Sequence, residues 1–254
     1  MTRSRLSLIR KIVFFVGLLV IWQALVWLGF WPQYIFPSPL GVLQKIARGI
    51  QNLTFVFGIV ASMQRILIGF GLSAVAGILL GLALGRIKIL DETLGSLVLG
   101  LQTLPSICWL PLSLLWFGLS ETAILFVVIM GALLSITTAT EAGVKNTPPL
   151  YMRAARNLGA RGWKMYALVI FPAALPSIIT GMKLGWSFAW RSLMAAELLY
   201  VSLGLGQLLT MGRDLNDMNQ VVSVMLIIIL IGLVVDRLVF APVESRVRER
   251  WGLG

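Results

Sequence analysis

Histidine is absent from this sequence, cysteine occurs once, and only 12% of the residues are charged. Without histidine, imidazole acid–base chemistry is excluded. With Cys108 alone, so are intrachain disulfides and Cys/His metal centres, and no metal site is expected. Cys108 lies in an apolar stretch and reads as a small buried hydrophobe. No carboxylate pair falls within an apolar run, which leaves a membrane-embedded enzyme without reacting groups. A soluble domain carries about twice this charged fraction.

What the chain has instead is apolar length. Hydrophobic residues make up 58% of its 254 positions. Six runs are long enough to cross a bilayer, at about 12–30, 58–85, 94–117, 121–140, 173–196 and 219–240. The predicted class is all-α, a polytopic membrane protein of six helices forming one domain over 1–254. The first run follows the basic stretch "RSRLSLIRK" but has no small-x-small cleavage site, so it reads as a retained anchor. The net charge of +11 could point to nucleic acid, but the placement of the cations argues against it. With the N-terminus inside, the inner side collects fifteen of the 21 lysines and arginines, Arg3 and Arg5 among them. The outer connections hold only Lys45, Arg48 and Arg213. That asymmetry puts both termini in the cytoplasm and makes the basic balance a topology signal.

Three local patterns stand out. In the first outer loop, Ser38-Pro39 fits a helix start, and Leu40, Leu43, Ala47, Ile50 and Leu53 follow at helical spacing, predicting a short helix at the outer surface. In the third run, Pro105 and Pro111 break a helix where a polar cavity can satisfy the freed backbone. In the longest inner loop, Thr147 can cap a helix, Pro148 and Pro149 suit its start, and Gly159 suits its end. Within that loop Leu150, Ala154 and Leu158 form one apolar stripe, with Ala154 and Ala155 small enough for close approach and Arg153, Arg156 and Arg161 beside it. Pro172 and Pro176 then separate this helix from the fifth run.

The spacing Arg153-Ala154-Ala155, three residues, Gly159, nine residues, Val169, one residue, Phe171-Pro172 resembles the EAA loop of importer-type ATP-binding-cassette (ABC) permeases, Glu-Ala-Ala-x3-Gly-x9-Ile-x-Leu-Pro. Arg153 departs from the glutamate, so a contact needing a negative charge there is not carried over. "FPSP", "QRILIGFGLSAVAGILLGLALG", "LPLSLLWFGLSE", "NLGARGWKMYALVIFPAALPSIITGMKLG" and "AAELL…GLGQLL" resemble the nitrate/sulfonate/taurine/bicarbonate branch in the same order. The resemblance implies the type I importer permease fold, with a core at about 58–240 and a cytoplasmic coupling helix at about 148–164. Arg153, Ala154, Ala155, Arg156, Leu158, Gly159 and Arg161 would then meet an ATPase. It further implies an inner-membrane homodimer with two ABC ATPase subunits and a periplasmic or lipid-anchored binding protein. This chain carries no G-x-x-x-x-G-K-[ST], so ATP and Mg belong to the partners and the chain is the pathway rather than an enzyme.

Ionisable residues within spans are candidate pathway groups. Lys183, Ser187 and Arg191 share a helix face and could orient a small anion. Lys183 could instead snorkel, and Arg191 could pair with Glu197. Arg65 near an outer end reads as an anion funnel or an interfacial anchor. Gln102, Thr103 and Ser106 flank the Pro105 break and are also pathway candidates. By residues alone, an ATPase-independent secondary transporter or channel for a small anion stays open. It calls for coupling-ion carboxylates inside the spans, whereas Glu121, Glu141, Glu197 and Asp236 fall at span ends.

Overall fold

The computed structural model describes residues 2–32, 34–200 and 202–251, with side chains from residue 9 onward, so Arg3 and Arg5 lie outside the described side chains. The described residues form helices and no strand: α1 (Thr2–Trp27), α2 (Pro39–Gln51), α3 (Thr54–Leu84), α4 (Lys88–Gln102), α5 (Ser106–Phe117), α6 (Glu121–Lys145), α7 (Pro149–Asn157), α8 (Trp163–Leu199), α9 (Leu205–Asp214) and α10 (Met218–Arg250). Five of these, α1, α3, α6, α8 and α10, are long and apolar enough to cross a membrane. The pair α4–α5, bent by 103°, makes a sixth as a broken span. The break falls at Thr103–Pro105, where the missing proline N–H was expected to place it. Pro111 sits in the first turn of the regular helix Leu110–Phe117, where its fixed φ is favourable, and it starts a helix rather than kinking one. Cys108 is exposed within the chain, correcting the expectation of burial.

The residues gather into two compact units. The first joins Met1–Val60 with Leu203–Ile229. The apolar stretch of α1, Ile9–Trp27, buries none of its side chains within the chain. The Trp22 indole N–H donates to the Pro37 carbonyl at 2.9 Å. Ser38 caps α2 as predicted, its Oγ accepting from the Gly41 N–H at 3.1 Å. The predicted apolar residues Leu40, Leu43 and Ile50 stay exposed, and it is Val42 and Gly49 that face inward. Ser223 Oγ donates to the Val42 carbonyl at 3.1 Å.

Lys45 Nζ lies 2.5 Å from Asp217 Oδ2 and anchors α2 to the loop before α10. Burial works to raise the Asp217 carboxyl, but the Lys45 hydrogen bond and the backbone N–H groups of Gln220 and Asn219 outweigh it and hold it below the ordinary 3.8. A carboxylate depressed in the folded state contributes stability that is complete above its unfolded value and is lost as pH falls through the folded one. Thermal unfolding of the solubilised permease, followed from neutral pH into acid, should therefore show a loss that Asp217→Asn reduces. Parallel pH curves for the two proteins would refute this role.

The second unit joins Ala61–Ser202 with Leu230–Gly254. Its core is the packing of α6 on α8, with Ile124, Val127, Val128, Ala132 and Ile136 buried on one helix and Ile178, Ala189 and Leu193 on the other. Glycines let these backbones approach. A Cβ on Gly81 of α3 would sit 2.5 Å from the Thr137 carbonyl, and one on Gly185 would sit 2.9 Å from Ile136. Gly69, Gly77 and Gly85 meet α6 in the same way, whereas Gly71 faces open space.

The fifth span differs from the expectation. α8 begins at Trp163 and runs to Leu199, so Pro172 and Pro176 lie inside one helix and do not detach α7 from it. A wide π turn at Tyr166–Ile170 precedes Pro172. In a regular helix the proline ring would collide with the carbonyl four residues back, and the widened turn accommodates it. The break falls instead at residues 158–162, before α8.

Candidate functional site

Helix α7 presents the predicted stripe. Leu150 is 69% and Leu158 88% exposed, and Ala154 between them is also exposed. Among the described residues this line is left uncovered. Ala155 and Met152 lie on another face and are partly covered, with the Arg86 guanidinium against the Met152 sulfur. Among the described residues Arg153, Arg156 and Arg161 have no ion pair, and all three are exposed.

The ends of α7 are firmly set. Pro148, not Thr147, occupies the cap position, because the Thr147 hydroxyl is buried and donates back to the Gly143 carbonyl at 3.2 Å. At the other end Gly159 adopts φ +85°. Its N–H donates to the Arg156 carbonyl at 3.0 Å, and the Ala160 N–H to the Ala155 carbonyl at 2.9 Å. These two bonds are a Schellman closure, and the left-handed φ favours glycine there. Nothing stands near a Gly159 Cβ, so the requirement comes from the backbone alone.

A second constellation lies within the spans. Gln102, Thr103 and Ser106 at the α4–α5 break, Trp109 of α5, Ser135 of α6, and Phe188 and Arg191 of α8 line one cavity of about 320 Å³. Arg191 lies eight residues before the end of α8, and Ser135 fourteen after the start of α6. At about 1.5 Å per residue these positions lie roughly 12 and 21 Å along the helix axes from those ends. The Arg191 guanidinium stands 5.1 Å from the Phe188 ring centre, and its Nε donates to the Ser187 carbonyl at 3.2 Å. Its remaining donors make no ion pair among the described residues. Ser135 and Phe188 were not foreseen, although Phe188 stands three residues before Arg191 and so shares its face.

The other pathway candidates are placed elsewhere. Lys183 does share a face with Ser187 and Arg191, but its Nζ is 3.0 Å from Asp236 and 3.5 Å from Glu244, and it is not among the residues lining this cavity. Ser187 is exposed and donates to the Lys183 carbonyl at 3.2 Å. Glu197 pairs with Arg65, not with Arg191.

Arg65 is neither an open funnel nor an interfacial anchor, since its side chain is 10% exposed. Its Nε and Nη2 donate to the two oxygens of Glu121 at 2.7 and 2.6 Å, Nη1 donates to Glu197 at 2.7 Å, and Nη2 also reaches Ser202 at 2.8 Å. The fully buried Glu197 carboxylate accepts from Ser62 as well, at 2.7 Å. With two carboxylates on one guanidinium, the cluster would repel an arriving anion. Glu141 and Asp236 are likewise paired, with Lys145 and Lys183.

Residues 73–248 match the family described as the binding-protein-dependent transport system inner membrane component. A putative ABC transporter permease protein of Methanocaldococcus jannaschii is 36% identical over 208 residues, covering 80% of this chain and 78% of its own length. A nitrate import permease of Synechocystis is 30% identical over 250 residues, 95% and 90% of the two chains. A taurine transport system permease of Escherichia coli is 30% identical over 211 residues, 80% and 77%. A match of this extent leaves no place for a transporter without an ATPase. This chain belongs to the binding-protein-dependent inner-membrane components: it is a multi-pass permease subunit of an ABC importer.

Proposed function

We propose that this permease carries a small anion of the sulfonate, taurine, nitrate or bicarbonate class. The observation that carries this reading is Arg191, a guanidinium with no carboxylate partner among the described residues, in a cavity with Gln102, Thr103 and Ser106 at the break of a span. A planar oxyanion matches the guanidinium fork, and the amide and hydroxyls supply further donors. The names of the nitrate and taurine relatives point to the same chemistry.

In this reading two copies of the chain form the pathway. Both termini lie in the cytoplasm, and α7 is the coupling helix, its Leu150–Ala154–Leu158 line seated in a cleft of an ATPase subunit. Two such ATPases bind ATP and Mg, close on each other, draw the two α7 helices together and turn the cavity outward. A periplasmic or lipid-anchored binding protein then delivers the anion, and hydrolysis returns the cavity to the inside. The native mass of the complex, recovered through a tag on this chain, tests the stoichiometry. The specificity test is uptake into vesicles by the complex with its ATPase and binding protein. Arg191→Ala should lower anion uptake at least about tenfold, the scale of one lost charged hydrogen bond, with the complex still assembled. Arg191→Lys should recover part of it. Normal uptake kinetics in Arg191→Ala would return Arg191 to a structural role.

A further inference from the structure

Arg156 and Arg161, which the sequence resemblance sets against an ATPase, converge with Arg86 of the same unit on one cavity. Its volume is about 490 Å³, and Arg86, Arg156, Arg161, Gly162, Met165 and Tyr166 are among its walls. Arg86 follows the end of α3 by two residues, Arg156 lies in the last turn of α7, and Arg161 lies in the short loop to α8. No carboxylate lines the cavity among the described residues, and none of the three guanidiniums belongs to an ion pair there. Elsewhere Arg65, Lys45, Lys145 and Lys183 each have a carboxylate within 3 Å. Cations sharing one cavity repel each other unless an anion enters it.

Two features indicate which anion. Arg156 lies two residues beyond Ala154, a rotation of roughly 200° about the α7 axis. It therefore stands nearly opposite the Leu150–Ala154–Leu158 stripe, not beside it as the sequence had suggested, and faces away from the line assigned to the ATPase. The other walls stand where apolar helices end: Arg86 just after α3, and Met165 and Tyr166 in the first turn of α8. Where apolar spans end on the basic side of a membrane, arginine pockets hold the anionic phosphates of lipid headgroups.

We propose that Arg86, Arg156 and Arg161 hold the phosphate of an anionic phospholipid from the leaflet facing the ATPases. The choice of leaflet rests on the orientation proposed above. Lipid retention is read without transport, so a failure here leaves the importer reading standing, and a failed uptake assay does not touch this one.

The test is native mass spectrometry of the delipidated complex titrated with phosphatidylglycerol or phosphatidylcholine. Phosphatidylglycerol should bind preferentially. At about fivefold per arginine near a headgroup phosphate, Arg86→Gln/Arg161→Gln should weaken it about 25-fold. Arg248→Gln, which changes a cation of a different cavity, should not weaken it. Arg86→Lys, which keeps the charge and loses the fork, should fall between and guards against misfolding of the double variant. Equal binding of the two lipids, or unchanged affinity in the double variant, would overturn the proposal. Displacement of phosphatidylglycerol by millimolar inorganic phosphate would assign the pocket to soluble phosphate instead. Binding to the permease stripped of its ATPase, but not to the complex, would assign it to an acidic segment of the ATPase. Either result removes the lipid.

Discussion

Glu197→Ala should destabilise the permease by about 3–5 kcal/mol, the cost of leaving a buried cation without one of its partners. Glu197 has no exposed surface and accepts from both Arg65 and Ser62. Arg65 also keeps Glu121, whose side chain is 54% exposed, so much of the compensation for its buried end comes from Glu197. The loss should appear as a sharp fall in the temperature at which the detergent-solubilised protein aggregates, with less folded protein recovered from the membrane. Arg65→Met added to Glu197→Leu should restore part of the stability, because an apolar pair of similar volume no longer strands a charge. If Glu197→Ala unfolds at the wild-type temperature, the cluster is ornamental to the fold. If the double variant falls by the sum of both single losses, the two side chains act independently.

Ala154→Glu should weaken association with the ATPase at least about thirtyfold, the scale of a central contact residue. It places a carboxylate on an exposed apolar line, where only a partner would notice. The isolated permease should insert and unfold normally while ATP-driven uptake and ATPase recovery through a tag on this chain both collapse. Ala155→Glu is the comparison. Ala155 is partly covered, and its carbonyl closes the end of α7, so it should lower thermal stability as well as uptake. Wild-type uptake by Ala154→Glu would remove α7 from the coupling role.

The sequence revealed features that depend on neighbours along the chain. Apolar length marked the spans, Pro105 marked the break, and Gly159 marked a helix end that only a left-handed residue closes well. Features that depend on distant residues stayed hidden. Lys183 and Arg191 look alike eight residues apart on one helix, and what separates them is Asp236 and Glu244, far along the chain. Glu197 likewise finds Arg65, 132 residues away, rather than the arginine six residues before it. Thr147 failed as a cap because its hydroxyl had a nearer acceptor in the preceding turn. Pro172 failed as a break because a widened turn ahead of it absorbs the ring.

That absorbed proline changes how force can travel through the molecule. Between Trp163 and Arg191 the chain is helical without a hinge loop, 28 residues or roughly 42 Å at 1.5 Å per residue. Packed along α6 through close glycine contacts, α8 is a stiff lever arm rather than a tether. A short displacement passed across residues 158–162 to Trp163 would tilt the whole arm, and the guanidinium at its far end would swing relative to the Thr103–Pro105 bend. Push and response are then joined by one rod, and the stroke at the cavity is set by where along α6 that rod pivots.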